Sequence, residues 1–195
     1  MTAIIDYRAG NLTSVRNAFA ALGAEAVVTR DPAAIASADR VVFPGVGAAR
    51  SAMDNLSELG LVNAVKSAAM SGRPFLGICL GMQILFDHSD EDGGVDTLGV
   101  LRGRVMRFPR VPGFKVPAIG WNDVGGREYY FVHSYYAELV PETAGVAEYA
   151  GVRFTAMVKK GRLWACQFHP EKSGRVGLRL LEEWLKLDND GCAKC

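Results

Sequence analysis

Phe75-Leu76-Gly77-Ile78-Cys79-Leu80-Gly81-Met82-Gln83 joins an apolar strand to a helical start, with one glycine two residues before the cysteine and another two after it. A wholly apolar strand fits a position buried on both faces of a sheet. Small residues at those two places suit a sharp, crowded strand-to-helix elbow, the small-x-nucleophile-x-small pattern known from G-x-S-x-G. Such a turn presents the sulfur at the N-terminus of the following helix, where partial positive charge favours thiolate. It also directs the Leu80 N–H at an oxyanion. Cys79 is therefore a candidate nucleophile. The competing reading is a small buried hydrophobe, a common fate of free cysteine.

On the N-terminal side, short apolar strands alternate with helical stretches. Strands are expected at residues 2–6, 26–29, 41–43 and 75–78, with helices at 12–22 (stopped by Gly23), 32–38 and within 48–70. This alternation predicts an α/β fold with a central, mostly parallel sheet flanked by helices, whose site gathers at the carboxyl ends of the strands. Pro44-Gly45-Val46-Gly47 follows the third strand, and its glycines let backbone N–H groups approach a bound group. It is a candidate second oxyanion donor, although the same residues also read as a plain βα turn.

On the C-terminal side the pattern changes near residue 98. Short β segments at 100–108, 120–124, 129–135, 147–149, 154–159 and 163–167, separated by turn residues, predict a meander or mixed-sheet extension. Residues 173–187 form an amphipathic helix, with Leu178, Leu181, Trp184 and Leu185 on one side and Ser173 as N-cap. No repeat or linker interrupts the chain. One domain over residues 1–187 is expected, with a disordered tail over 188–195.

Composition narrows the function classes. A chain of 195 residues can bury a sizeable core, and 49% hydrophobic with 22% charged residues is ordinary for a globular protein. The net charge of +1, without blocks of like charge, gives no reason to expect a nucleic-acid or anionic-membrane partner. No apolar run reaches the roughly 18–20 residues that span a bilayer, and the start lacks the basic residues of a signal peptide. A cytoplasmic location is expected. Cys79, Cys166, Cys192 and Cys195 do not form the dense framework of a small secreted fold. The Cys192-x-x-Cys195 pair lies in the tail, without the second ligand pair of a zinc site.

The chain has three histidines. His88 and His133 read as structural. His169, in Gln167-Phe168-His169-Pro170-Glu171-Lys172, follows a predicted strand that Pro170 terminates, which brings it to the rim where Cys79 sits. Glu171 is near enough to accept a hydrogen bond from the imidazole and fix its tautomer. This is nucleophile–base–orienter logic with cysteine as nucleophile. Thiolate and imidazole supply the nucleophile and the acid–base group without a metal or other cofactor.

The elbow G-I-C-L-G-M-Q and the distant Q-F-H-P-E-K-S resemble the class I (triad) glutamine amidotransferases over nearly the whole chain. Four segments are similar, within that family, to the glutaminase subunits of imidazole glycerol phosphate synthases: Asp6-Tyr7-Arg8-Ala9-Gly10-Asn11-Leu12, Pro44-Gly45-Val46-Gly47-Ala48, Lys115-Val116-Pro117-Ala118-Ile119-Gly120-Trp121-Asn122 and Phe131-Val132-His133-Ser134-Tyr135-Tyr136. The resemblance implies the flavodoxin-like fold of that family and a triad of Cys79, His169 and Glu171. It implies that Gly47 and Leu80 contribute to the oxyanion region, and that Gln83, Glu91, Ser134 and Tyr135 hold glutamine. It further implies that Asn11, Trp121 and Lys172 face a (β/α)8-barrel cyclase subunit, into which ammonia passes. Ala118 departs from the family, which often has histidine there. Two other readings stay open: a class I amidotransferase serving another synthase, and a non-catalytic docking module.

Overall fold

A computed structural model describes residues 1–187; the expected tail, with Cys192 and Cys195, lies outside the described residues. The first half runs β1 (Thr2–Ile5), α1 (Leu12–Ala21), β2 (Ala26–Thr29), α2 (Pro32–Ser37), β3 (Arg40–Gly45), α3 (Ala49–Glu58), α4 (Val62–Met70), β4 (Phe75–Cys79) and α5 (Leu80–Gln83). The second half runs β5 (His88–Ser89), β6 (Val95–Asp96), β7 (Arg104–Arg107), β8 (Ala118–Asp123), β9 (Glu128–His133), β10 (Tyr135–Ala137), β11 (Thr143–Tyr149), β12 (Val152–Lys160), β13 (Leu163–Cys166) and α6 (Gly174–Leu185). Among the described residues no helix is long and apolar enough to cross a membrane.

The main sheet has the order β2-β1-β3-β4-β13-β12-β10-β7-β5-β6, with β11 on β12. Strands β2, β1, β3, β4 and β13 are mutually parallel, the flavodoxin-like arrangement. From β12 onward the sheet becomes mixed, the β-rich extension expected from the sequence.

The alternation of side chains assigns each strand residue to one face or the other, and both faces are covered. Ala3, Ile5, Val41, Phe43, Phe75, Leu163 and Ala165 belong to the core under α2, α3 and α4. Ile4, Val42, Leu76, Ile78, Trp164 and Cys166 belong to the opposite core, with Phe19 of α1 and Leu180, Leu181 and Trp184 of α6.

Several boundaries differ from expectation for local reasons. The strand expected over 100–108 shrinks to Arg104–Arg107, because Gly99 and Gly103 take φ of +60° and +124° and turn the chain. The run 129–135 breaks at Ser134 into strands of different sheets: β9 pairs with β8 in a separate hairpin, whereas β10 joins β7 and β12. Ser173 occupies the N-cap of α6, but its hydroxyl does not cap the helix. It donates instead to the His169 carbonyl at 2.6 Å and accepts from the Tyr130 N–H at 3.0 Å. The helix after Cys79 is a single turn, so the influence of an aligned helix dipole gives way to that of individual N–H groups.

Candidate active site

The elbow is built by backbone crowding. Cys79 has φ 55° and ψ −112°, a strained conformation for a residue with a side chain, costing about 1–3 kcal/mol. The surrounding packing holds it there. A Cβ at Gly81 would lie 2.0 Å from the Phe43 carbonyl oxygen, one at Gly77 2.9 Å from the Gly81 carbonyl oxygen, and one at Gly45 2.4 Å from the Gly81 nitrogen. The small residues around Cys79 are thus fixed by contacts among β3, β4 and the first turn of α5. Gly47 differs: among the described residues nothing lies within 4 Å of its Cβ position, but its φ of +95° favours glycine.

Cys79 lies at the wall of a pocket of about 250 Å³ lined by Val46, Gly47, Leu80, Gln83, Glu91, Pro117, Val132, His133, Ser134 and Tyr135. Pockets for drug-sized ligands measure roughly 300–1,000 Å³; the smaller volume suits a small metabolite such as an amino acid. Both oxyanion candidates, Gly47 and Leu80, and all four glutamine-binding candidates, Gln83, Glu91, Ser134 and Tyr135, converge on it. The Leu80 N–H opens α5 and so has no acceptor within the helix.

His169 and Glu171 are not among the residues that line the pocket. His169 precedes a 3-10 turn at Pro170–Lys172 that ends the β13 segment. Its Nδ1 is 2.8 Å from Glu171 Oε1, and the two side chains are 2% and 1% exposed. Among the described residues its buried Nε2 meets no acceptor at ordinary hydrogen-bond geometry, although the Cys79 sulfur lies near enough to act on it. Burial alone would lower the His169 pKa; the Cys79 sulfur and the Glu171 carboxylate outweigh it, and the imidazole is pushed up to about 10. An imidazole held by a carboxylate on one side and acted on by the Cys79 sulfur on the other is suited to move a proton to and from a group bound at Cys79.

His133 read as structural in the sequence. It packs among Phe108, Phe131 and Phe154 and also lines the pocket. Burial drives its imidazole down to about 4, despite the Tyr135 carbonyl 2.8 Å from Nδ1, so it is neutral near pH 7. Glu91 has a second task. Its Oε2 accepts from the Ala49 N–H at 2.6 Å, completing the start of α3, where Ala48 has no side-chain oxygen to offer. Burial raises the Glu91 pKa, against that hydrogen bond.

The sequence reading left Gln167 without a role, although it begins the Q-F-H-P-E-K-S run. It is fully buried, accepts from Gln83 Nε2 at 2.8 Å and donates from its own Nε2 to Cys79 Sγ at 3.7 Å. Only the three-dimensional pairing of β13 with β4 brings the two positions together.

Of the expected interface residues, Trp121 is 56% exposed, Lys172 is exposed and Asn11 is half-buried. The elements near them are neighbours: α1 and β9 both pack on the 3-10 turn bearing Lys172, and the Trp121 ring meets Tyr130 of β9 edge-on at 6.0 Å. Ala118, opposite His133 in the hairpin, is buried, so the departure at this position falls on the inner face. Ile119 and Trp121 occupy the outer one.

The fold and this constellation are those of an amidotransferase, and comparison with known proteins agrees. Residues 3–186 match the family model described as glutamine amidotransferase class-I, and the chain belongs to that family. At finer grain, it is 45% identical over 199 residues to the imidazole glycerol phosphate synthase subunit HisH of Methanothermobacter thermautotrophicus, covering 96% of this chain and 98% of that one. It is 47% identical over 196 residues to the subunit HisH of Symbiobacterium thermophilum, covering 93% and 91%. It is also 45% identical over 198 residues to the chloroplastic imidazole glycerol phosphate synthase hisHF of Arabidopsis thaliana, covering 93% of this chain and 33% of that longer one. Among solved structures, a crystal structure of glutamine amidotransferase superposes with a TM-score of 0.72 at 22% identity, covering 95% of this chain and 97% of that one, a likeness of fold.

Proposed function

We propose that this chain is the glutaminase subunit of an imidazole glycerol phosphate synthase in histidine biosynthesis, using Cys79, His169 and Glu171 as its triad. The observation that carries the chemistry is a cysteine on a strained elbow, open to an amino-acid-sized pocket and backed by a buried His–Glu pair.

In this reading the Cys79 thiolate attacks the side-chain amide carbon of glutamine, forming a C–S bond, and the N–H groups of Gly47 and Leu80 hold the oxyanion. Collapse breaks the C–N bond while imidazolium His169 gives its proton to the nitrogen, which leaves as ammonia. Neutral His169 then takes a proton from water as it attacks the thioester, releasing glutamate and restoring the thiolate. Glu171 holds the His169 tautomer. Gln83, Glu91, Ser134 and Tyr135 fix the amino-acid end of the substrate.

Ammonia passes to a (β/α)8-barrel cyclase subunit docked over Asn11, Trp121 and Lys172, which forms imidazole glycerol phosphate and aminoimidazole carboxamide ribotide. Support comes from the exposed Ile119–Trp121 face and from the Arabidopsis relative, where the matched region is one third of a chain with the joint name hisHF. The expected setting is the cytoplasm.

The test is synthesis by the two-subunit complex. A Cys79→Ala chain should abolish glutamine-dependent synthesis and leave synthesis from ammonium salts intact. Glutaminase turnover persisting in Cys79→Ala would sink the nucleophile assignment. Failure of the cyclase subunit to bind or to stimulate turnover would sink the assignment of partner.

A further inference from the structure

The buried amides beside the nucleophile form a directed chain. Gln83 Nε2 lies 2.9 Å from the Tyr135 carbonyl oxygen and 2.8 Å from Gln167 Oε1. A backbone carbonyl only accepts, so the Gln83 group facing it must be the NH2. The second hydrogen of that NH2 then requires an acceptor, and Gln167 must present its oxygen. Its NH2 is thereby left to face the Cys79 sulfur at 3.7 Å. The Tyr135 carbonyl thus fixes, through two side chains, the polarity of the group that meets the nucleophile. Both glutamines are buried, Gln83 at 5% and Gln167 at 0% exposure, so water does not compete for these bonds.

A donor aimed at sulfur distinguishes the two protonation states. It stabilises an anionic acceptor by a charge-assisted bond and a thiol by much less. The thiol has a different outlet, the Val132 carbonyl oxygen at 3.9 Å, which can accept its S–H. Cys79 therefore lies between an acceptor suited to the resting thiol and a donor suited to the attacking thiolate.

We infer that Gln167 is a positioning residue for the nucleophile: its side-chain N–H holds the Cys79 thiolate, and Gln83 and the Tyr135 carbonyl hold Gln167 in the donating orientation. This rests on the reading of Cys79 as nucleophile and deepens it. Gln83 correspondingly meets substrate with its oxygen, because both of its amide hydrogens are engaged.

The experiment reads the sulfur directly in the full-length chain. Gln167→Met keeps the volume and removes the donor. Gln167→Glu keeps an acceptor for Gln83 and replaces the donor with a carboxylate. The rate of Cys79 alkylation by iodoacetamide at neutral pH, assigned by peptide mass, should fall about ten- to a hundredfold in both variants. Thiolate ultraviolet absorbance should appear at higher pH. Glutaminase kcat in the complex should fall with it, while KM for glutamine stays within about twofold. If alkylation and the absorbance profile match the parent chain in either folded variant, as judged by its circular dichroism, Gln167 serves only to brace Gln83 and the inference is overturned. Variants that both fail to fold would make Gln167 a determinant of stability, also overturning it. These outcomes separate from failure of the parent reading, which appears as glutaminase activity surviving in Cys79→Ala.

Discussion

His169 and Glu171 meet across a single turn, with Nδ1 and Oε1 2.8 Å apart and both side chains closed to solvent. The carboxylate accepts from Nδ1 and leaves the other nitrogen to the Cys79 sulfur, which lies close enough to raise the imidazole. Glu171→Gln can present an NH2 instead and favour the opposite tautomer. Glutaminase kcat should fall by about 10²–10⁴-fold with little change in KM, as measured by glutamate release in the presence of the cyclase subunit.

Protonation of His169 should depend on Cys79. With the sulfur present, the imidazole is held at about 10 against an ordinary 6.5. Cys79→Ala removes one of the groups that raises it and leaves burial opposing, so the imidazole titration followed by NMR should move to lower pH. The same shift has a stability consequence. A raised folded-state pKa means that the stabilisation is complete below the unfolded value near 6.5 and is lost as pH rises through about 10. Resistance of the parent chain to denaturation should weaken across that window, and Cys79→Ala should flatten the dependence.

The glycines of the site should respond in two different ways. Gly81→Ala places a methyl against the Phe43 carbonyl, a backbone atom that cannot swing aside, and should cost about 3–5 kcal/mol or prevent folding. Gly47→Ala meets no atoms and carries only a conformational penalty, about 1–2 kcal/mol. Urea denaturation of both variants checks the contrast, and equal losses would contradict it.

Glu91 should separate binding from chemistry. A glutamine at this position can still accept from the Ala49 N–H but carries no charge for the substrate ammonium. Glu91→Gln should raise KM for glutamine about tenfold and leave kcat within about twofold. Because burial raises its pKa, the parent chain should lose glutamine affinity on acidification at a higher pH than an unperturbed carboxylate would give. Steady-state KM across the acid range reads this directly.

Much of this was legible along the chain, because the decisive signals are local. The β-α alternation, the glycines around Cys79 and the His169–Pro170–Glu171 turn each report on a few neighbouring residues, and each lies at the expected end of its strand. The β-rich half was harder to read. Ser134 switches the chain between sheets within one strand-like run, and no glycine or proline marks it. The amide chain through Gln83 and Gln167 was hidden for a similar reason, since it depends on which strands become neighbours. Glu91 at the start of α3 and Ser173 bridging Tyr130 to His169 are likewise tertiary contacts that no spacing rule contains.

The parallel pairing of β4 with β13 also sets the order in which the chain gains reactivity. Register brings Ile78 beside Cys166, although 88 residues separate Cys79 from Gln167. Closing so long a loop is entropically slow compared with local helix and hairpin formation. During synthesis the cysteine therefore leaves the ribosome long before its base, and its thiol has no proton acceptor of this kind while the β extension is being made. In the proposed reading, assembly of the last parallel strand completes the triad, so a chain that has not reached it cannot hydrolyse glutamine.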